Sequence, residues 1–267
     1  MTGSLIERTL NVLELLSAHV EGVSVTHVAE QVGLPKSGAH RILGELVRLN
    51  YVRKLAGTER YQLTTRLVTF GLTYLSASGI IDICQPILDR LAEESKELVR
   101  LAVVNGSQLT WVAKAQGTRT GIMYDTEMGG HPILFCTATG LAWLAQMKEE
   151  EAVRIVMAEG FGGPDDFGPN APRTVPAFLE ALRQTREKGY AYVTQSADEW
   201  TSAMAATIVE PKTGMTAGTI SIAGPYFRLT ASRAQRLSLI LNEAVRELGA
   251  ATAGSKFFHK QGVEGEL

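Results

Sequence analysis

The feature that most constrains the fold is a tight turn between two short amphipathic segments in the first fifty residues. The turn is Gly33-Leu34, and Pro35 follows it at a position that suits the first residue of a helix, where its missing N–H costs nothing. Ser24 is a suitable N-cap for a helix over 26–32, and apolar residues at helical spacing predict a second helix that runs to about Asn50. Two helices joined by a turn that contains glycine are typical of a helix-turn-helix.

The sequence on both sides of this turn completes a winged domain. An amphipathic helix is expected over 4–18, and residues 51–63 change to an alternating pattern that predicts a two-stranded hairpin, the wing. A helix over 67–75 follows. The chain has 267 residues, which is long enough for two domains. We expect a winged helix-turn-helix over 1–65, a linker helix over 66–79, a second domain over 80–254 and a frayed tail over 255–267.

The second domain has the pattern of helices around an antiparallel sheet. Helices are expected over 83–98, with Pro86 in the first turn, and over 137–148, 175–188 and 231–250. Strands over 99–105 and 108–115 flank Asn105-Gly106, a strong hairpin signal, and further strands are expected over 120–125, 203–209 and 216–223. The chain as a whole is therefore predicted to be α+β.

The distribution of charge indicates where this chain would meet a polyanion. The formal net charge is only −2. Residues 34–66, however, contain seven lysines and arginines against two glutamates, so this stretch has a charge of +5 and the remainder a charge of −7. A basic patch on an acidic body is expected of a protein that binds DNA.

The second helix of the pair has the side chains that a helix in the major groove needs. Its first two turns carry short side chains and hydrogen-bond donors, which let the backbone approach DNA and let the donors reach bases and phosphates. Basic residues of the wing are expected to hold phosphates, which position a protein on DNA without specifying sequence. The candidate DNA-binding residues are Lys36, Ser37, Gly38, His40 and Arg41 on the helix and Arg53, Lys54 and Arg60 on the wing.

The remaining composition argues against several other classes of function. Cys84 and Cys136 lie far apart and form no CxxC pair, which predicts neither a disulfide framework nor a zinc site and agrees with a reducing cytoplasm. No run of about 18 apolar residues predicts a membrane span. No GxSxG, HExxH, P-loop or dinucleotide motif is present, so we expect no enzyme, no catalytic or metal-binding residue and no cofactor.

The stretch from Gly33 to Leu43 resembles the recognition helix of the isocitrate lyase regulator (IclR) family. It reads Gly-Leu-Pro-Lys-Ser-Gly-Ala-His-Arg-Ile-Leu, against a family pattern close to Gly-Leu-Pro-Lys-Ser-Thr-x-His-Arg-Leu-Leu. The chain departs at Gly38, where a small hydroxyl residue is usual, and this departure concerns one phosphate or base contact rather than the fold. Segments 136–145, 189–192 and 221–230 are similar to later family motifs, so the resemblance covers nearly the whole chain.

The resemblance implies a winged helix-turn-helix followed by a GAF-like effector domain, whose antiparallel sheet is flanked by helices, in a DNA-binding transcription regulator under the control of a small molecule. Such proteins act as dimers or dimers of dimers on palindromic operators. The partners expected here are therefore double-stranded DNA, a small-molecule effector and further copies of this chain, as a homodimer or a homotetramer. No membrane partner is expected.

The effector pocket that the resemblance implies has lost polar groups. In members that bind small keto acids, a carboxylate contacts backbone amides at the start of the helix matching Ala138 and Thr139. The family's pocket Asp, Cys, His and Lys fall here on Val193, Ala203, Phe135 and Leu141, and one of two serines becomes Ala223. An apolar wall favours a small aromatic effector, such as a benzoate or its amide-like relative, over glyoxylate or pyruvate. The candidate effector residues are Tyr124, Phe135, Thr137, Ala138, Thr139, Val193, Ala203, Thr207, Ser221 and Ala223, with Thr137, Thr207 and Ser221 as hydrogen-bond partners.

Two alternatives to this function stay open. The first is a DNA-binding protein that is insensitive to effectors, which predicts no cavity in the second domain. The second is a small-molecule enzyme. Among single residues, His131 is expected in a loop, Cys136 in the pocket wall, and Asp165-Asp166 in a solvated loop. The tryptophans are expected in the core, with one of them able to touch the effector.

Overall fold

The chain forms two compact units, Met1–Ala77 and Ser78–Leu267. The computed structural model describes residues 4–78, 80–126, 128–163 and 165–252, and the frayed tail expected over 255–267 lies outside them. The first unit combines helices with a small sheet and the second combines helices with a five-stranded antiparallel sheet, so the α+β prediction is confirmed. None of the helices in the described part of the chain has both the length and the apolar character that crossing a membrane requires.

The first unit begins with a helix that is capped by its own side chains. Its elements are α1 (Leu5–Ser17), β1 (Val23–Ser24), α2 (Val25–Val32), α3 (Lys36–Arg48), β2 (Val52–Lys54), β3 (Arg60–Leu63) and α4 (Arg66–Ser78). At α1, Ser4 Oγ accepts a hydrogen bond from the Glu7 N–H, and the Glu7 carboxylate accepts one from the Ser4 N–H. Ser24 caps α2 as expected, because its Oγ accepts a hydrogen bond from the His27 N–H at 3.2 Å.

The turn between α2 and α3 has the conformation that its composition predicts. Gly33 is left-handed, with a φ of 68°, and ends α2. Pro35 keeps an extended ψ of 142°, so α3 begins at Lys36, one residue later than expected. One stripe of α3 packs into the core of the first unit through Ala39, Ile42, Leu43 and Leu46. The opposite stripe is left to solvent.

The wing belongs to a three-stranded sheet of order β1-β3-β2. The expected hairpin is present, with Lys54 of β2 opposite Tyr61 of β3. β1 joins the other edge of β3, where Val23 lies opposite Tyr61. The sequence does not predict β1, because two residues are too few to show an alternating pattern.

The second unit places helices around a sheet of order β5-β4-β8-β7-β6, in which all neighbours are antiparallel. Its elements are α5 (Ile80–Ser95), β4 (Leu98–Asn105), β5 (Gln108–Gln116), α6 (Ala138–Leu144), α7 (Glu149–Glu159), α8 (Val175–Lys188), β6 (Ala191–Thr194), β7 (Thr201–Val209), β8 (Thr216–Pro225) and α9 (Ala231–Thr252). The hairpin at Asn105-Gly106 and the helix that ends at Gly189 are present as expected.

Two helix predictions in this unit need correction, and one further helix, α7, is not predicted. α5 begins at Ile80, so Pro86 lies inside the helix rather than in its first turn, and Leu98 starts a strand. The helix expected over 137–148 stops at Leu144. A separate α7 then begins after Lys148, whose backbone is extended, and three glutamates in its first turn suit the positive end of a helix dipole.

One strand prediction is also wrong, and one strand, β6, is not predicted. No strand forms over 120–125; the polar groups of this segment instead bind side chains of β5. Gln116 donates to the Tyr124 carbonyl at 2.9 Å, and Lys114 Nζ lies 2.7 Å from Asp125. β6, with four residues, is not predicted, because it follows its helix after only a two-residue turn.

One face of the sheet collects side chains from four strands. Arg100 of β4 lies opposite Ser221 of β8, and Ala203 of β7 lies opposite both Ala223 and Val193. Directly opposed residues of antiparallel strands share a face. Helix α6 covers this face, since Thr207, two alternations along β7 from Ala203, donates to the Ala142 carbonyl at 2.7 Å.

Candidate functional site

The exposed stripe of α3 carries the side chains expected to contact DNA. Lys36, Ser37, His40 and Arg41 are exposed, and Gly38 is half-buried. Within the described residues, none of the three basic side chains on this stripe forms an ion pair with an acid. Their donors are available to phosphates and base edges.

The wing holds its three basic residues in different ways. Arg53 donates from Nε and Nη2 to Gln62 Oε1 at 3.0 and 2.7 Å, which fixes its guanidinium on the strand. Lys54 Nζ lies 2.8 Å from Glu59, and this hydrogen bond raises the pKa of Lys54 and lowers the pKa of Glu59. Arg60 is exposed. Because Lys54 would have to exchange Glu59 for a phosphate, Arg53 is the better placed phosphate ligand.

Gly38 has room for the side chain that it lacks. A Cβ built there would meet one neighbour, Pro35 Cδ at 3.8 Å. We expect Gly38→Ser to stabilise α3 by about 0.5 kcal/mol, because serine is the better helix former. We also expect it to raise affinity for DNA by about 2–10-fold through one added hydrogen bond. Thermal denaturation and fluorescence anisotropy with a labelled duplex measure the two effects.

Gly44 provides the matched control for this substitution. A Cβ at Gly44 meets nothing within 4 Å, and six residues turn the helix by about 120° away from the Gly38 direction. Gly44→Ser is therefore expected to add stability without added affinity. A loss of affinity confined to Gly38→Ser would contradict the prediction and show that the glycine is needed for close approach of the backbone to DNA.

The second unit contains a cavity of about 260 Å³ against the sheet face that α6 covers. The cavity brings together eight of the ten residues expected to bind an effector: Tyr124, Thr137, Ala138, Thr139, Val193, Ala203, Ser221 and Ala223. Most of this lining is apolar or carries a single hydroxyl. The cavity is therefore suited to a small, largely apolar ligand with few polar anchors.

The other expected pocket residues lie elsewhere. Phe135 is fully buried in the core, where its ring makes edge contacts with Phe161 and Phe167 at centroid distances of 5.2 and 5.1 Å. The Thr207 hydroxyl donates a hydrogen bond to the Ala142 carbonyl. Cys136 is also buried outside the cavity, and burial raises the pKa of its thiol to about 12. Phe135 and Cys136 are therefore corrected from pocket wall to core, and Thr207 is half-buried outside the cavity lining.

Several cavity residues were not expected from the sequence: Arg100, Trp111, Thr126, His131, Ile133, Ala197 and Thr201. Arg100 leaves a visible signal, because it is the single charged residue in the apolar run 98–104. A charge at an inward-facing strand position is rare and needs a partner or a function. Trp111 lies inside β5, and the remaining five lie on loops or at the start of β7, where no periodicity points inward.

Arg100 dominates the electrostatics of the cavity. Its Nη1 donates to Thr126 Oγ1 at 2.9 Å, and its guanidinium carbon lies 3.8 Å from the centre of the Trp111 ring. Burial lowers the pKa of Arg100 and raises the pKa of Tyr124. Nearby Asp125 pairs with Lys114, whose hydrogen bond lowers the pKa of that carboxyl. The described part of the cavity wall therefore carries the positive charge of Arg100.

A larger concavity of about 380 Å³ lies along α8. Its lining includes the exposed, polar side chains of Glu180, Gln184 and Lys188. A groove of solvated charges offers a small apolar ligand little desolvation, so the 260 Å³ cavity is the better candidate for an effector site. As for metals, no group of three or more histidine, cysteine or acidic residues is suitably placed within the described ranges.

Family models for two domains of one group of regulators match the two units of this chain. A family model described as the C-terminal domain of the bacterial transcriptional regulator IclR matches residues 72–250, and one for the IclR helix-turn-helix domain matches residues 5–56. The transcriptional repressor IclR of Escherichia coli is 28% identical over 253 residues, covering 94% of this chain and 90% of the relative. The Pca regulon regulatory protein of Pseudomonas putida is 24% identical, covering 91% and 82%.

Solved structures share the fold across nearly the whole chain. An IclR-type regulator from Alicyclobacillus acidocaldarius aligns with a TM-score of 0.79 at 21% identity, over 94% of this chain and 99% of the other. An IclR homologue from Microbacterium hydrocarbonoxydans, complexed with 4-hydroxybenzoate, aligns with a TM-score of 0.77 at 19% identity, over 94% and 100%. At these identities the likeness concerns the fold.

Proposed function

Because this chain belongs to the IclR family of bacterial transcriptional regulators, we propose that it binds a palindromic operator as a homo-oligomer, and that a small aromatic compound controls this binding. The observation that carries the proposal is the 260 Å³ cavity, whose lining combines Trp111, Tyr124 and Val193 with small residues such as Ala203. Aromatic and apolar walls of this size suit a single ring better than a hydrated keto acid.

The relative with a bound ligand supports an aromatic effector. The structure from Microbacterium hydrocarbonoxydans holds 4-hydroxybenzoate, and its fold aligns with nearly the whole of this chain. The positions where the family's polar pocket groups would fall are apolar here, at Val193, Ala203 and Ala223, and all three line the cavity. A ligand with more apolar surface gains more binding free energy in a cavity with fewer polar groups.

Exposed apolar side chains in the first unit support assembly with a second copy. Leu5, Ile6 and Leu10 of α1 and Val68, Phe70 and Leu72 of α4 are each more than half exposed. Clustered apolar surface of this kind marks an interaction site in a water-soluble domain. A second copy is the favoured occupant, because one recognition helix buries little surface and two half-sites multiply specificity.

Control by the effector follows from differential affinity. A ligand that binds one arrangement of the oligomer more tightly than another shifts the population toward it, and operator affinity changes by that difference. The effector-insensitive alternative predicts no cavity, so the cavity favours control. The enzyme alternative has little support, since His131 Nδ1 already contacts the Leu109 carbonyl at 2.8 Å and the thiol of Cys136 lies outside the cavity.

DNA recognition is tested by Arg41→Ala and Arg53→Ala, using an operator selected in vitro with the full-length protein. Arg41→Ala is expected to weaken operator binding by about 1–3 kcal/mol and to relax sequence preference, because Arg41 is placed to read a base edge. Arg53→Ala is expected to weaken all duplexes alike and to reduce the salt slope by about one, because it neutralises a phosphate. Electrophoretic mobility and anisotropy titrations at several salt concentrations separate the two effects.

The control is Arg154→Ala, which removes one exposed positive charge from α7 in the second unit. It is expected to leave operator affinity and salt slope unchanged. If Arg41→Ala behaved like this control, α3 would not be the recognition helix.

A further inference from the structure

Arg100 is a buried cation whose surroundings in the described structure supply no counter-charge. The residue is 7% exposed, and within the described ranges no acid lies within ion-pair distance of it. A buried charge without a partner is costly, and native proteins keep one only where it serves a purpose. Arg100 lines the cavity, so a ligand bound there would supply the counter-charge.

Other arginines of the same unit show how this fold treats a structural cation. Arg228 and Arg233 lie 2.7 and 2.8 Å from the carboxylate of Glu97, and Arg186 pairs with Glu149. Asp125 is the acid whose charge acts on Arg100, but its carboxylate is bound by Lys114 at 2.7 Å. Arg173, half-buried in the same unit, instead donates to the carbonyls of Gly163, Phe167 and Gly168. Within the described ranges the Arg100 guanidinium has neither an acid nor a carbonyl, and its one hydrogen-bond acceptor is the hydroxyl of Thr126.

The unpaired hydrogen-bond donors in the cavity point the same way. Arg100 Nε and Trp111 Nε1 are buried, and among the described residues neither has a hydrogen-bond partner. Both side chains line the cavity. Two donors without acceptors call for a ligand that is rich in acceptors, and each donor left unmet costs free energy.

The shape of the guanidinium defines what the ligand presents. One face packs on the Trp111 ring, and Nη1 is held by Thr126. The edge formed by Nε and Nη2 makes no hydrogen bond to a described residue. That edge matches the two oxygens of a carboxylate in a bidentate contact.

We propose that Arg100 is the specificity-determining residue of the effector cavity and binds the carboxylate of an aromatic acid, with Trp111 Nε1 as a second donor. The inference rests on the proposed function, since it names the chemistry of the ligand that this cavity takes. The acid is bound as its anion by the free guanidinium edge, and its ring lies toward Val193, Ala203 and Ala223.

The test compares acids with amides of the same shape. Full-length protein is titrated with benzoate, 4-hydroxybenzoate and phenylacetate, with benzamide, 4-hydroxybenzamide and phenylacetamide, and with pyruvate and glyoxylate. Thermal shift and calorimetry measure binding, since a ligand of the native state raises the melting temperature. We expect the aromatic acids to bind at least about tenfold more tightly than their amides, because hydrogen bonds to charged groups are the stronger ones.

Two arginine variants make the result specific. Arg100→Met is expected to remove the preference for acids and to raise the melting temperature of the ligand-free protein, since it relieves an unpaired buried charge. Arg233→Met, which removes an arginine paired with Glu97, is expected to lower the melting temperature. Glu127 is next to Thr126 in sequence but lies outside the described residues, so Glu127→Gln is measured alongside.

The outcomes separate this inference from the proposed function. Equal binding of acids and amides, an acid preference that survives in Arg100→Met, or matching losses of ligand-free stability in Arg100→Met and Glu127→Gln would each overturn the role of Arg100. Binding of the keto acids alone, lost in Arg100→Met, would support Arg100 and reject the aromatic effector. If no compound bound, the aromatic effector would be rejected, and a lower melting temperature of ligand-free Arg100→Met would overturn Arg100 as well.

Discussion

Replacing Glu97 with alanine is expected to lower the free energy of unfolding of the second unit by about 3–5 kcal/mol, because it removes a buried carboxylate and leaves two half-buried guanidinium groups without their acid. The Glu97 side chain is 1% exposed, and those of Arg228 and Arg233 are 27% and 22% exposed. For a unit of this size the loss corresponds to a fall in melting temperature of about 6–20 °C. Differential scanning calorimetry of the full chain measures it.

The effect is large because Glu97 connects separate parts of the fold. Arg228 also donates to the Ile122 carbonyl at 3.0 Å, and Arg233 donates to the Ser95 carbonyl at 2.6 Å. The carboxylate thus joins the end of α5, the segment after β5 and the start of α9. Gly224 leaves space for the Glu97 carboxylate, because a Cβ at this position would lie only 2.3 Å from Glu97 Oε2.

Two control variants give losses of unfolding free energy with which the Glu97→Ala loss is compared. Glu97→Gln keeps an acceptor oxygen and removes the charge, so it is expected to cost less than Glu97→Ala. Glu149→Gln breaks an ion pair with Arg186 whose side chains are 55% and 33% exposed, and such surface pairs contribute less than about 1 kcal/mol. A loss in Glu97→Ala no larger than that in Glu149→Gln would show that the buried cluster does not stabilise the unit.

The first unit follows closely from its sequence because its determinants are local. Ser24 and Gly33 are a cap and a terminator for the same short helix, and each acts through atoms within a few residues. The buried stripe of α3 repeats at helical spacing. β1 escapes prediction because its partner, β3, lies nearly forty residues further along the chain, and two residues carry no pattern of their own.

The cavity depends on contacts that sequence spacing does not report. Ala203 and Thr207 share a face of β7, so alternation alone makes both pocket residues, but α6 covers Thr207 and leaves Ala203 open. Arg100 belongs to β4 and meets Ser221 across a separation of 121 positions. The family resemblance supplies the positions on β6, β7 and β8. It does not supply Arg100, whose proposed role comes from the lack of an ion-pair partner among the described residues.

Filling the cavity is expected to abolish the response to ligand while leaving DNA binding intact. Ala203→Trp places an indole in a space of about 260 Å³, between Val193 and Ala223 on the neighbouring strands. With the aromatic acid that stabilises the wild-type protein most, we expect no thermal shift and no change in operator affinity for this variant. Without ligand, its operator affinity is expected to equal that of the wild-type protein, because the residues proposed to bind DNA lie in the first unit.

The matched control fills the other concavity of the unit. Ala177 is exposed on α8 and lines the 380 Å³ groove, so Ala177→Trp adds the same side chain there. It is expected to keep the full ligand response. A response lost in Ala177→Trp and kept in Ala203→Trp would move the effector site to α8 and remove Arg100 from it. A response lost only in Ala203→Trp would tie regulation to the cavity lined by Arg100, because the two variants differ only in where the indole sits.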